Sequence, residues 1–310
     1  MNFRRLLLIV LCLAPLAAWQ TASAATPDVV VVMPDERSVP LQEALQALEA
    51  ELVSGGRSRT DLAVISVKDL PTLAKAPPKL LISLGSSAAQ AVAESSAKVP
   101  ILFALLPQQT FENIRAQGKA LPPVSALYLN QSAKRQLALL RLALPHSQRI
   151  ALLLGSASQP TEQRWRNAAQ ENGFQLAVAH VEQEETLRAS LQNVLAGADV
   201  LLAVADPQVF NANTIQNILL TSFRARVPLL AFSPAYVKAG ALLAVYSTPT
   251  QIGIQTAAIA RDFLRRQILP PPQHTADFTV SVNLPVANAL GLNLDENALK
   301  LRLRQLEKTP

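Results

Sequence analysis

The chain has 310 residues, of which 50% are hydrophobic and 16% charged, with one cysteine and a net charge of +6. This composition excludes an intrinsically disordered chain and a disulfide-rich scaffold. The length allows one large domain or two ordinary ones, and an alanine- and leucine-rich α/β chain is the class that remains.

The first segment has the three regions of a secretory signal peptide. Two arginines precede a thirteen-residue apolar run at 6–18, and a polar stretch then ends in Ala22-Ser23-Ala24. The run is shorter than the about 20 residues that a membrane-spanning helix needs. We therefore expect export to the periplasm with cleavage after Ala24, which removes Cys12 and lowers the net charge to +4.

The rest of the chain alternates between short aliphatic runs and helix-length stretches with 3.6-residue apolar spacing. Strands are predicted at 29–33, 62–67, 79–84, 101–105, 150–154, 176–179, 200–204, 228–231 and 242–245, with a short extended run at 124–129. Helices are predicted at 41–52, 87–94, 133–143, 161–172, 184–195, 213–224 and 248–265. Continuous apolar runs are typical of parallel strands covered on both faces, so the alternation indicates βαβ units with right-handed crossovers.

Two loops that contain proline, at 117–132 and 269–275, divide this pattern. Similar βαβα patterns recur without a sequence repeat, which favours an α/β fold of two doubly wound parallel-sheet lobes joined by a hinge. We expect an N-terminal lobe from 25–124 and 245–270, and a C-terminal lobe from 125–244 and 271–310.

Ligands of open α/β sheets collect at the carboxyl ends of the strands. Two predicted strands end in a glycine followed by serine, in Gly85-Ser86-Ser87 and in Gly155-Ser156. Glycine permits a tight turn, and the free N–H groups at the start of the next helix would hold a carboxylate. Serine in this position also serves as a plain helix cap, which does not exclude a binding role.

Two further strand ends carry other polar groups. Asp206 precedes Pro207, so its carboxylate either pairs with a ligand ammonium or caps a helix that has proline in its first position. Ser233 and Tyr236 offer a hydroxyl and a ring after the strand at 228–231. The four strand ends together predict a cleft for a small-molecule ligand.

Enzyme signatures are missing from the sequence. It has no G-x-S-x-G, G-x-x-x-x-G-K-[ST], G-x-G-x-x-G or H-E-x-x-H motif. His146, His180 and His274 are far apart in sequence, and the scattered basic residues form no aromatic-interleaved stripe for nucleic acid. We expect no catalytic residue, metal, cofactor or nucleic-acid partner; an exported enzyme with a triad from distant positions is the remaining alternative.

Three stretches resemble the periplasmic substrate-binding proteins of the tryptophan/tyrosine-type ABC transporter family. They are LALLRLALPHSQRIALLL at 137–154, the run at 198–253 that includes ADVLLAVADPQVFN, and the tail VSVNLPVANALGLNL at 280–294. The segment at 82–90 is similar to the first-lobe strand and ligand loop of that family. The resemblance covers most of the chain and implies the type I periplasmic binding fold, in which two lobes close by a hinge around a small ligand.

The resemblance also assigns roles to single positions. It places Ser86 and Ser87 on the first-lobe loop that meets the ligand, and Asp206 on the acidic residue at a second-lobe strand end. Ser233 and Tyr236 fall near the cleft-side loop of the following strand.

One departure concerns the ligand. After the fourth strand the family commonly has an Asp-Pro pair beside the cleft, whereas this chain reads Leu106-Pro107-Gln108. An acidic group is therefore missing from this side, although the resemblance implies a small polar ligand, with an amino-acid-like molecule as the candidate. The resemblance implies that this protein acts as a monomer. Its implied partner is an inner-membrane ABC permease. A ligand sensor or scaffold that docks to an envelope sensor or receptor is the alternative.

Overall fold

The computed structural model describes residues 26–54 and 61–308, and the predicted signal segment lies outside them. Within the described part, the strands form two six-stranded sheets. Four clusters of buried, mainly aliphatic side chains cover the faces of the two sheets. We call each sheet with its covering helices a lobe, the first lobe holding the start of the described chain.

The first sheet is entirely parallel. It contains β1 (Val29–Met33), β2 (Leu62–Ser66), β3 (Leu80–Leu84), β4 (Ile101–Leu106), β5 (Val124–Tyr128) and β11 (Gln273–His274), in the order β11-β5-β4-β3-β1-β2. Every side chain of β1 and β3 is buried. This burial explains why both strands are continuous runs dominated by branched aliphatic residues.

The second sheet repeats this plan with one reversed edge strand. It contains β6 (Arg149–Leu154), β7 (Gln175–His180), β8 (Val200–Leu202), β9 (Leu229–Ala231), β10 (Leu243–Tyr246) and β12 (Thr279–Val282), in the order β12-β10-β9-β8-β6-β7. β12 pairs with β10 in the antiparallel direction, and the other neighbours are parallel. Two lobes with parallel-dominated sheets confirm the predicted fold class.

Helices connect the strands and cover the sheets. They are α1 (Val39–Ser54), α2 (Ser86–Glu94), α3 (Gln108–Ala116), α4 (Ala133–Ala143), α5 (Glu162–Glu171), α6 (Leu187–Leu195), α7 (Ile215–Arg224), α8 (Pro234–Ala239), α9 (Pro249–Arg266), α10 (Leu284–Ala289) and α11 (Glu296–Lys308). The predicted helices at 41–52 and 133–143 correspond to α1 and α4. Among the elements that the periodicity did not predict is α3, because it buries only Phe111 and Ile114 and is otherwise polar.

The long helix α9 follows the second sheet but packs in the first lobe. Its buried face lies in the same cluster as β1, β3 and α1. Gly253 allows this packing, since a Cβ on it would lie 2.2 Å from the carbonyl oxygen of Ala44 in α1. The helix starts with a capping box in which Thr248 and Gln251 exchange side-chain to backbone hydrogen bonds.

The strand pairing runs past the lobe boundaries expected at 124, 244 and 270. β5 pairs with β4 and β11 pairs with β5, so both belong to the first sheet, whereas β10 pairs with β9 in the second. The physical reason is that each of these strands gains its hydrogen-bond ladder before the chain crosses between the lobes. Strand pairing does not test whether each lobe folds as an independent domain, so the expected domain boundaries stay a prediction.

Candidate functional site

Three segments carry the chain between the lobes: 129–132 after β5, 247–248 after β10 and 275–278 after β11. Each segment starts at the carboxyl end of a parallel strand, so the carboxyl edges of the two sheets face each other across the crossings. We call the region between these two edges the interlobe cleft; the loops that follow β3 and β4 lie on its first-lobe side. The loops that follow β6, β8 and β9 lie on its second-lobe side.

One buried polar network joins all three crossing segments. The hydroxyl of Ser247 accepts a hydrogen bond from Gln131 Nε2 at 2.9 Å, donates one to the carbonyl oxygen of Asp277 at 2.6 Å and bonds to the Thr275 hydroxyl. Arg135 Nη1 donates to Gln131 Oε1 at 2.5 Å and to the carbonyl oxygen of Thr275 at 2.8 Å. We call Gln131, Arg135, Ser247 and Thr275 the hinge cluster; all four are buried.

The C-terminal helix α11 completes the surroundings of the hinge cluster. Glu307 accepts from Arg135 Nε at 2.5 Å and from its Nη2 at 3.1 Å. The Arg135 guanidinium also lies 4.5 Å from the ring centre of Phe278, within the range of a cation–π contact. The buried arginine therefore has hydrogen-bond partners on the crossing segments and on the last helix.

The predicted first-lobe residues lie at the start of α2. Gly85 is its N-cap residue with a φ of 89°, a backbone conformation that favours glycine, and no side chain caps the helix. Ser86 and Ser87 are exposed in its first turn. Because the first N–H groups of a helix have no partner within it, this terminus attracts anionic or polar groups. The ligand contacts of the three residues stay a prediction.

The predicted second-lobe residues form a closed set of hydrogen bonds. Asp206 is 1% exposed, and its Oδ2 accepts from the Ser158 backbone N–H at 2.9 Å and from the Ser158 hydroxyl at 2.6 Å. Its Oδ1 accepts from the Gln208 N–H at 2.9 Å, and Gln208 Oε1 accepts from the Ser156 N–H at 2.9 Å. No helix starts at Pro207, because residues 207–209 form a turn, so the predicted helix cap is wrong; Asp206 instead caps this turn through the Gln208 N–H, and its pairing with a ligand ammonium stays a prediction.

Ser233 and Tyr236 lie at the start of α8. Ser233 is the N-cap residue, is half-buried and makes no side-chain cap hydrogen bond. The Tyr236 hydroxyl donates to the carbonyl oxygen of Phe210 at 2.9 Å, and its ring centre lies 4.9 Å from that of Phe232. Burial raises the pKa of Tyr236 above its usual value. In this geometry Tyr236 supports the β8 and β9 loops, and its contact with a ligand stays a prediction.

An ion pair joins the lobes at the cleft. Arg164, in the first turn of α5, donates from Nη2 to both carboxylate oxygens of Glu112 in α3, at 2.8 and 2.9 Å. Gln108 Nε2 also donates to Glu112 Oε1 at 2.8 Å, and the Gln108 N–H donates to Asn130 Oδ1 at 2.7 Å. Glu112 is thereby linked to the first crossing segment.

The charges of this ion pair affect the pKa values of Tyr128 and His274, at the carboxyl ends of β5 and β11. Tyr128 and His274 meet edge to face with ring centres 5.1 Å apart, and His274 Nδ1 lies 2.8 Å from the carbonyl oxygen of Asn130. Burial lowers the pKa of His274, and the positive charges of Arg135 and Arg164 lower it further, against the Asn130 hydrogen bond and the Glu112 charge. Burial likewise raises the pKa of Tyr128, and the charge of Glu112 adds to this.

The sequence analysis missed both the ion pair and the hinge cluster. The partners in the ion pair are 52 positions apart, and Gln131 and Ser247 are 116 positions apart. Arg164 had the pattern of a scattered surface charge. One signal for Glu112 was available. It lies one turn after Gln108, close to the strand end at which the Asp-Pro pair of the family is absent from this chain.

Comparison with known proteins identifies the family. Residues 36–305 match the model of the family described as ABC transporter substrate binding protein. The chain belongs to this family. No curated protein sequence matches it. Among the described residues, no helix is both long and apolar enough for a membrane crossing.

Solved structures of similar proteins confirm the fold of this substrate-binding protein. A ligand-free, open substrate binding protein with adhesive properties from Clostridium difficile has a TM-score of 0.70 at 17% identity, covering 87% of this chain and 97% of that one. An ABC domain in complex with L-Trp from Streptococcus pneumonia has a TM-score of 0.62 at 16% identity, covering 88% and 98%. At such identities the likeness shows the fold alone, and it confirms the two-lobed type I periplasmic binding fold.

Proposed function

We propose that the protein captures a small polar ligand in the interlobe cleft and presents it, as a periplasmic monomer, to an inner-membrane ABC permease. On the second lobe, the Ser233 hydroxyl before α8 makes no cap hydrogen bond. The observation that carries the proposal is on the first lobe, where α2 starts at the cleft edge of its sheet without a side-chain cap. A polar ligand group supplies the partner that the free N–H groups at such a terminus need.

The contact residues divide between the lobes in this proposal. Gly85, Ser86 and Ser87 contribute the first-lobe terminus, and Ser156 and Ser233 contribute second-lobe hydroxyl groups. A ligand that contacts both lobes stabilises the closed form relative to the open form, and the permease reads that form. Binding and release then need no bond chemistry, so the protein acts without enzyme activity or cofactor.

A ligand panel tests the proposal. The Streptococcus structure is in complex with L-Trp, so amino acids are the first members of the panel, followed by sugars and small organic acids. Binding raises the unfolding temperature because the ligand stabilises only the folded state. We expect at least one compound to give a saturable shift. A well-folded sample that responds to no compound would contradict the proposal.

A charge at the start of α2 locates the binding site. Ser87→Asp places a carboxylate where the ligand group is expected, so it should abolish binding while leaving the helix as stable or slightly more stable. Ser96→Asp, on an exposed residue just past the other end of α2, is the matched control with the same charge change. Equal affinity of both variants for the ligand would place the site elsewhere.

A further inference from the structure

The ion pair between the lobes uses only one of the three nitrogen atoms of the Arg164 guanidinium. Both contacts to Glu112 come from one nitrogen, Nη2, and no hydrogen bond or ion pair in the described part of the chain involves Nε or Nη1. Both side chains are 37% exposed. A guanidinium binds a carboxylate or phosphate best through two parallel N–H groups. Both parallel donor pairs of the guanidinium, Nη1 with Nη2 and Nε with Nη2, include the nitrogen that Glu112 occupies, so a second anion that binds in this way has to displace Glu112.

The position of the pair differs from that of other surface ion pairs. Arg166, two residues along the same helix, pairs with Glu162 at (i, i+4) within α5. Arg164 instead reaches across to the other lobe, and its charge acts on Tyr128 and His274 at the ends of β5 and β11. Glu112 is held for this contact by Gln108, whose own N–H is bound by Asn130.

We propose that Arg164 is the receptor in the cleft for an anionic group of the ligand, and that the Glu112 carboxylate occupies it while the cleft is empty. The ligand class is a small molecule with a carboxylate or phosphate group. This inference rests on the proposed function, because it assumes that a ligand enters the cleft. An arriving anion replaces the Glu112 carboxylate as the partner of Arg164, so the guanidinium is never left without an acceptor.

The exchange also explains selectivity. A half-exposed ion pair contributes little to stability, so an anionic ligand displaces Glu112 at small cost. A neutral ligand of the same shape has to separate Glu112 from Arg164 and gives no charge in return. Glu112 therefore acts as a built-in competitor that selects for anions.

The decisive experiment compares two variants that break the same ion pair. Glu112→Gln removes the competitor, so anionic ligands should bind up to about fivefold more tightly. Arg164→Gln removes the receptor, so the same ligands should bind about 10- to 100-fold more weakly. Arg166→Gln, which breaks the pair within α5, is the matched control and should leave affinity unchanged.

The probes are pairs in which one member carries a carboxylate or phosphate group that the other member lacks. They are L-tryptophan with L-tryptophanamide, D-gluconate with D-glucose, and glucose 6-phosphate with glucose, each titrated at constant ionic strength. The opposite effects of the two variants should appear for the anionic members, and the pairs separate a carboxylate ligand from a phosphate ligand.

Three results would overturn the inference. If both variants weaken binding equally, the ion pair is only a clasp between lobes. If neutral members bind as well as anionic ones and ignore both variants, the ligand does not use Arg164, while the proposed function stands. If no compound of the full panel binds any variant or the unaltered protein, the proposed function fails together with the inference.

Discussion

Gly155 lies so close to Asp206 that a Cβ at this position would stand 2.7 Å from Asp206 Oδ1. The contact exists because the buried carboxylate bonds to Ser158, three residues beyond the glycine, and to Gln208 in the β8 loop. Glycine at this strand end therefore leaves room for the Asp206 carboxylate to approach the backbone. Two loops on the second-lobe side of the cleft are fixed to each other in this way.

Gly155→Ala should destabilise the fold by about 1–3 kcal/mol, because the added methyl group overpacks a buried site. Urea unfolding measures the loss. Asp206→Ala removes the clashing group, so the double variant should be more stable than the sum of the two single effects predicts. Ser156→Ala, on an exposed side chain, is the control and should be nearly neutral. Additive effects would show that Gly155 does not contact Asp206 in solution.

A close helix contact in the first lobe gives a second prediction. Gly253→Ala would place a methyl group 2.2 Å from the Ala44 carbonyl oxygen and 2.9 Å from the Ala47 Cβ. α1 and α9 must then separate, at a cost of about 3 kcal/mol or more in the free energy of unfolding. Thermal unfolding should show the loss, whereas Ile254→Ala on the exposed neighbouring position should change it little. A Gly253→Ala variant as stable as the control would contradict the close approach of the two helices.

The hinge cluster gives a third prediction. Arg135→Gln leaves the Thr275 carbonyl oxygen and Glu307 without their charged donor, so the free energy of unfolding should fall by about 1.5–3 kcal/mol. Hydrogen exchange should also rise in the three crossing segments, because the network joins them. Lys134→Gln changes an exposed charge in the same helix and serves as the control. Unchanged exchange at 129–132 and 275–278 would show that the network does not hold the crossings together.

The pH dependence of stability gives a fourth prediction. The folded-state pKa of His274 lies below its ordinary value of 6.5, so the unfolded chain binds a proton more readily. Its contribution to stability is complete above about pH 6.5 and is lost as the pH falls through the window between the two pKa values, with a slope of at most about 1.4 kcal/mol per pH unit.

Unfolding by urea at pH 7.5, 6.5, 5.5 and 5.0 tests the His274 effect. His274→Gln should lower stability at every pH, since it loses the contact with Tyr128, and should flatten the slope below pH 6.5. His146→Gln, on an exposed residue in a turn, is the matched control. The prediction fails if the His274→Gln and unaltered proteins lose stability in parallel.

Much of the fold was predictable because buried parallel strands need continuous apolar runs. The runs at 29–33 and 80–84 are such strands, and each predicted strand or helix that the structure describes has a counterpart. α3 was missed because its few buried residues produce little periodicity. The sheet that each strand beside a crossing joins was not predictable, because local sequence does not show which sheet supplies the hydrogen-bond partners of a strand.

The sequence by itself determined the alternation of strands and helices, the number of lobes and the glycine at the end of β3, since these depend on local spacing and backbone freedom. Only the tertiary structure decided what the polar residues do. Asp206 became a support for two loops because folding buried it beside Gly155 and Ser158. The Glu112–Arg164 ion pair exists only because two lobes bring α3 and α5 together, and no local pattern records such a long-range contact.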